Sequence, residues 1–179
     1  MKKILLIFII AMLTFSCEKD DICDASTPTT PRLIIKFYDI QNPATVRSVL
    51  NLKITSLVNG VEKAIIFDKT NTDILNDTIV ALPLKINENL TKYKFIFNSK
   101  AENPSLISED NLTFNYARKD EFVSRACGFK TLFEMNAGNQ NSVILNENPG
   151  ITSGNWIKDL QITQAKIYTE NETHIKIFF

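Results

Sequence analysis

Four side chains in this chain of 179 residues are of the types that most often do nucleophilic, redox or metal chemistry: Cys17, Cys23, Cys127 and His174. A cysteine nucleophile needs a base to take its proton, and the single histidine lies far from Cys127 in sequence. No close Cys/His pair is present, so zinc is poorly served. Ser124 lacks the Gly-X-Ser-X-Gly setting of a hydrolase nucleophile, and no phosphate-cradling or dinucleotide-binding glycine pattern occurs. Asp68, Asp73 and Asp77, with Asn71 and Asn76, could offer oxygen ligands to calcium. Their spacing is not that of an EF-hand loop and the glycine is missing, so the stretch reads as a solvated loop. His174 sits on the expected polar face of the last strand and reads as a surface histidine. Arg125 and Lys130 flank Cys127 and read as strand-edge charges, with an anion or partner contact as the alternative. The residues point to a protein that is not an enzyme, with no cofactor and no metal.

The chemistry that the spacing does support is lipidation. Met1-Lys2-Lys3 is a short basic start, Ile4 to Leu13 is an apolar run, and Thr14-Phe15-Ser16 leads to Cys17. This is the layout of a secretory leader, with an apolar run too short for a comfortable membrane span. Ser16-Cys17 resembles the lipobox of bacterial lipoproteins, in which the thiol is acylated before cleavage. Thr14 stands where a branched apolar residue is usual, so an uncleaved anchor or plain secretion are the alternatives. Lys19-Asp20-Asp21 resembles the short signal that sends Bacteroidetes lipoproteins to the outer face of the outer membrane; a solvated tether at the periplasmic face is the plainer reading. With Cys17 lipidated, two cysteines remain in an oxidising compartment, and a Cys23–Cys127 disulfide is expected, with a reactive thiol at Cys127 as the competing reading. Asp77-Thr78-Ile79 resembles a bacterial O-glycosylation triplet, which would modify Thr78.

The elements that hold these residues read as strands. Leu33, Ile35 and Phe37 alternate with Ile34, Lys36 and Tyr38; the same period of two runs through Leu50–Thr55, Tyr93–Asn98, Asn111–Tyr116 and His174–Phe179. Further strands are expected at 61–67, 78–84, 121–134, 142–145 and 156–168. Asn59-Gly60 is a hairpin signal, Asn103-Pro104, Asn148-Pro149-Gly150 and Ser153-Gly154 are turn signals, and Thr169–Thr173 looks like the tip of a C-terminal hairpin. Pro83 marks an edge or a strand break. Asn42-Pro43 would start either a short helix to Leu50 or a turn followed by a strand.

The expected organisation is a signal peptide over 1–16, a lipidated cysteine with a Pro/Thr-rich tether over 17–31, and a single all-β domain over 32–179. That domain is expected to be a β-sandwich of about 8–10 strands. Removal of Lys2 and Lys3 with the leader leaves 18 basic against 20 acidic residues, which offers no pull on nucleic acid.

The stretches Cys17–Cys23, Thr27–Leu33, Ala81-Leu82-Pro83-Leu84, Phe122–Lys130 and Ile175–Phe179 are similar to segments of an uncharacterised Bacteroidetes lipoprotein family. The resemblance implies a compact envelope domain with cysteines at Cys23 and Cys127, no stated activity, and an outer-membrane β-barrel as partner. The functional expectation is a non-catalytic accessory lipoprotein, anchored in the outer membrane by lipid and more often displayed at the cell surface. A glycan- or ligand-binding sandwich module is the alternative; it would want exposed aromatics, and Trp156 is the only tryptophan.

Overall fold

A computed structural model describes residues 22–27, 29–58, 61–67, 71–135, 141–148 and 153–179. The chain divides into two units, one of residues up to Thr29 with Glu121–Lys130, the other of Thr30–Asp120 with Thr131–Phe179.

The larger unit is all-β. One four-stranded sheet has the order β11 (Asp159–Ile162), β13 (Ile175–Phe178), β1 (Leu33–Tyr38), β5 (Ile79–Leu82). A second has the order β10 (Val143–Leu145), β7 (Ser108–Asn115), β6 (Leu90–Phe97), β2 (Val49–Val58), β3 (Val61–Ala64), with β4 (Ile74–Asp77) also on β2. The inward faces of the two sheets share one core. Leu33, Ile35, Phe37, Leu82, Ile175 and Ile177 come from the first sheet, and Leu52, Ile54, Phe95, Leu112 and Phe114 from the second; all are fully buried. Each such side chain contributes about 1.5–3 kcal/mol of transfer free energy, and this face-to-face burial makes the fold a β-sandwich. A third sheet runs β12 (Lys166–Ile167), β9 (Gly128–Glu134), β8 (Ala117–Ser124), and the division between units falls inside β8 and β9.

Several expectations stand. Strands β2 and β3 pair antiparallel with Val58 opposite Val61, and Asn59-Gly60 lies outside the described residues. Strand β5 ends at Leu82, immediately before Pro83, and lies at the edge of its sheet. Among the described residues the two facing sheets hold ten strands, within the expected 8–10, and the third sheet adds three. Others need correction. The segment 121–134 is two strands, because Arg125-Ala126-Cys127 turns and Gly128 takes a left-handed φ of 69° that closes the turn. Thr169–Thr173 is not a hairpin tip: β12 pairs with β9, whereas β13 pairs with β11 and, in parallel, with β1. Of the two readings of Asn42-Pro43, the turn followed by a strand is the one that forms.

Leu50 was expected to face inward and is exposed instead. The pairing of β2 with β4 shifts by one residue between Val49↔Asp77 and Leu52↔Leu75, a bulge that turns Val49 inward. Asn51 sits in it at φ 51°, its N–H donating to Asn76 Oδ1 at 2.7 Å and its carbonyl accepting from Ser99 N–H and Oγ at 2.9 and 2.7 Å. Asparagine tolerates this left-handed conformation better than most residues.

Candidate functional site

Cys17, Lys19, Asp20 and Asp21 lie outside the described residues. Within the smaller unit, Cys23 and Cys127 are joined by a disulfide with a Cα–Cα separation of 4.9 Å, so Cys127 carries no free thiol. The hairpin turn that presents Cys127 is set by Ser124, whose Oγ accepts from the Cys127 N–H at 3.0 Å. Ser124 thus ends β8 and holds the turn that follows it. Lys130 pairs with Glu121 at 3.0 Å, and Arg125 is exposed in the turn.

In the larger unit the expected loop of acidic residues is partly strand β4, which the sequence reading missed. Asp73 pairs with Lys53 at 2.9 Å, and this contact holds its carboxyl below the usual range. Asp77 Oδ1 accepts from the Thr78 N–H. Asp68 lies outside the described residues. Among the described residues, no group of three or more His, Cys, Asp or Glu side chains is placed to hold a metal ion. Thr78 is the half-buried corner residue between β4 and β5; its carbonyl accepts from the Phe37 N–H at 2.9 Å.

His174 is not a surface residue; it is 1% exposed. Its Nδ1 accepts from the Ile34 N–H at 2.9 Å, and its own N–H donates to the Ile34 carbonyl at 2.9 Å. An imidazole nitrogen thus stands in for a strand carbonyl. That role requires the neutral ring with its proton on Nε2, and burial pushes its pKa down. Trp156 is also buried, stacked on Phe97 with ring centroids 5.2 Å apart.

The most heavily bonded polar group is one the sequence reading passed over. Asp110 of β7 is 0% exposed. Its Oδ1 accepts from the Asn155 N–H at 2.7 Å and Asn146 Nδ2 at 2.6 Å; its Oδ2 accepts from the Trp156 and Ile157 N–H groups, each at 2.9 Å. A carboxylate can accept that many donors, and charge-assisted bonds are the stronger kind. Gly154 lies so close that a Cβ there would be 2.4 Å from Oδ1. A signal for this staple was present: Asp110 holds the inward place in the alternation that continues through Leu112 and Phe114, where a lone acid needs partners.

An accessible groove of the larger unit, of about 710 Å³, lies between β5 and the 72–77 segment and is within the size range of ligand sites. Its apolar walls include Ile34, Ile66, Phe67, Ile74 and Ile79, with Arg32, Asp73 and Lys100 among the charged residues. Arg32 is held by Glu170, with Nε to Oε1 at 2.9 Å and Nη2 to Oε2 at 2.8 Å, which keeps the Glu170 pKa low. The register fixes which main-chain groups of β5 face this groove. The bond from Phe37 N–H to Thr78 carbonyl makes 37/78 a hydrogen-bonded pair, so Val80 and Leu82 also bond to β1 at Ile35 and Leu33. The N–H and C=O groups of Ile79 and Ala81 therefore point away from β1, to the open side. Ile34, opposite Ala81, agrees: both its main-chain groups turn to His174. The far end of β5 is pinned by the Tyr93 hydroxyl, which donates to the Pro83 carbonyl, and by the Tyr116 hydroxyl, which donates to the Lys85 carbonyl at 3.0 Å. An edge strand with outward donors and acceptors beside an apolar groove can add an extended segment as a further strand.

No curated protein and no solved structure matches the chain. A family of unknown function, DUF6452, matches residues 51–179, well over half of the sequence. The chain belongs to that family of unknown function.

Proposed function

We propose that this protein is a non-catalytic accessory lipoprotein of the Bacteroidetes outer membrane, acylated at Cys17 and docked on an outer-membrane protein. The observation that carries the docking is the open edge of β5 beside its groove, where Ile79 and Ala81 offer main-chain groups to an extended apolar segment of the partner. The Cys23–Cys127 bond supports the same reading. It leaves six residue steps between Cys17 and Cys23, a reach of about 21 Å at most, whereas a tether running on to Pro31 would reach about 49 Å. A unit held that close to its anchor is placed to meet a neighbour in the same membrane. The residues 1–16 would be the cleaved leader, and Lys19-Asp20-Asp21 would direct surface display. Trp156 is buried and lends no ring to a glycan platform.

The test is affinity purification of the tagged full-length protein from native membranes, with and without Ala81→Pro. Proline removes an N–H that β1 does not use, so it blocks strand addition while leaving the β1–β5 ladder intact. A membrane-embedded protein should co-purify with the wild type. Ala81→Pro should abolish its recovery, with a stability change of about 1 kcal/mol or less. A flexible insertion between Asp20 and Asp21 should weaken recovery without altering melting. Equal recovery with Ala81→Pro sinks edge docking, and a wild type that brings down no membrane protein sinks the accessory reading.

A further inference from the structure

Two phenylalanines of the smaller unit stand in water although partners for aromatic rings are plentiful in the core. Phe122 of β8 is 57% exposed and Phe129 of β9 is 69% exposed. Their rings meet edge to face with centroids 5.4 Å apart. They flank the turn that carries Cys127, and the disulfide brings Cys23 to that turn with Ile22, 82% exposed, beside it in the chain. Three large apolar side chains are thus exposed among the described residues of this unit, whose hairpin also carries Arg125 and the Glu121–Lys130 pair. Solvent exposure of two such rings is unfavourable and needs a cover.

From this geometry we infer that Phe122 and Phe129, with Ile22, seat the hairpin turn in the interfacial layer of the bilayer that holds the Cys17 anchor. The inference rests on the lipidation proposed above. What names the occupant is the length of chain before the disulfide. Cys17 is five residue steps from Ile22, so acyl chains on Cys17 leave Ile22 within about 18 Å of the lipid surface. Aromatic rings beside cationic side chains suit that layer, where the apolar body enters the acyl boundary and charge stays at the headgroups. The seat would make the anchor two-point: acyl chains at Cys17 and an aromatic wedge at the hairpin, coupled by the disulfide.

The test places the photoreactive side chain p-benzoylphenylalanine at position 129 of the full-length protein, expressed in its own membranes and irradiated. The peptide spanning the turn is then mass-mapped, together with the N-terminal peptide. A phospholipid adduct on the turn peptide, lost when Phe122→Ser is combined with Cys17→Ala, supports the seat. A cross-link to a protein overturns it and assigns the rings to a protein partner. Absence of any adduct, with acylated Cys17 recovered from the same sample, overturns it while leaving the anchor standing. An N-terminal peptide without acyl mass removes the anchor and the seat together.

Discussion

Replacing Asp110 with asparagine keeps the shape of the side chain and removes both the charge and one acceptor. In the native protein Oδ1 and Oδ2 each accept two donors, three of the four being main-chain N–H groups of Asn155, Trp156 and Ile157. An amide oxygen can serve one pair. The NH2 must then face the other pair, donor against donor. If the oxygen keeps the Trp156 and Ile157 groups, the Asn155 N–H and Asn146 amide lose their acceptor. These two donors are only part-buried, so each loss lies toward the low end of the roughly 1–3 kcal/mol that an unsatisfied buried donor costs. Asp110→Asn should therefore cost about 2–3 kcal/mol, roughly 4–12 °C in melting temperature for a domain of this size. Gly154→Ala should cost a similar amount by a different route, since the methyl would lie 2.4 Å from Oδ1. The two are coupled: without the Asp110 side chain the methyl has room. Urea unfolding of Asp110→Ala, Gly154→Ala and the double variant should give a double-mutant cycle in which the alanine at 154 costs at least about 1 kcal/mol less when Asp110 is absent. Strict additivity, or an Asp110→Asn protein as stable as wild type, would show that this carboxylate does not hold the 153–157 turn.

Cys127→Ala, or reduction, removes a bond that closes a loop across a separation of 104 residues; the loss should be about 4–5 kcal/mol in calorimetry, and no change would place the constraint elsewhere. The lowered pKa of buried His174 gives stability a sign: its contribution is complete above about pH 6.5 and declines as pH falls below that value, because the unfolded chain binds the proton first. Glu170 and Glu172 face the ring and temper the effect, and Glu170, held low by Arg32, adds its own loss only below about pH 4.5. In His174→Asn, whose Oδ1 can accept from the Ile34 N–H, urea midpoints should lose their slope between pH 6.5 and 5; an unchanged slope refutes the assignment. Labelled palmitate should enter the wild type and not Cys17→Ala. Protease added to intact cells should remove the wild type, and alanine at Lys19, Asp20 and Asp21 should protect it; a protected wild type places the protein on the periplasmic face.

The sequence by itself determined which residues could pair into strands. Period-two alternation is a local property, so Leu33-Ile35-Phe37 and Ile175-Ile177 were legible as inward rows, and Pro83 as a strand end, with no knowledge of neighbours. The disulfide was legible on the reading that gives Cys17 to lipid, which leaves two thiols to pair. What tertiary structure alone decided is where a side chain's partner comes from a distant strand. Parallel pairing of β13 with β1 carries His174 to Ile34 across 140 residues, and a position that alternation assigned to solvent becomes a buried acceptor. The bulge at Asn51 is fixed by Asn76 and Ser99, so Leu50 turns outward against the pattern of its own strand. Asp110 is tolerable inside only because Gly154 lets the 155–157 backbone come within reach. The open edge of β5 likewise depends on sheet order, which local periodicity does not encode: the same four residues would have no free donors if another strand of the sandwich lay beside them.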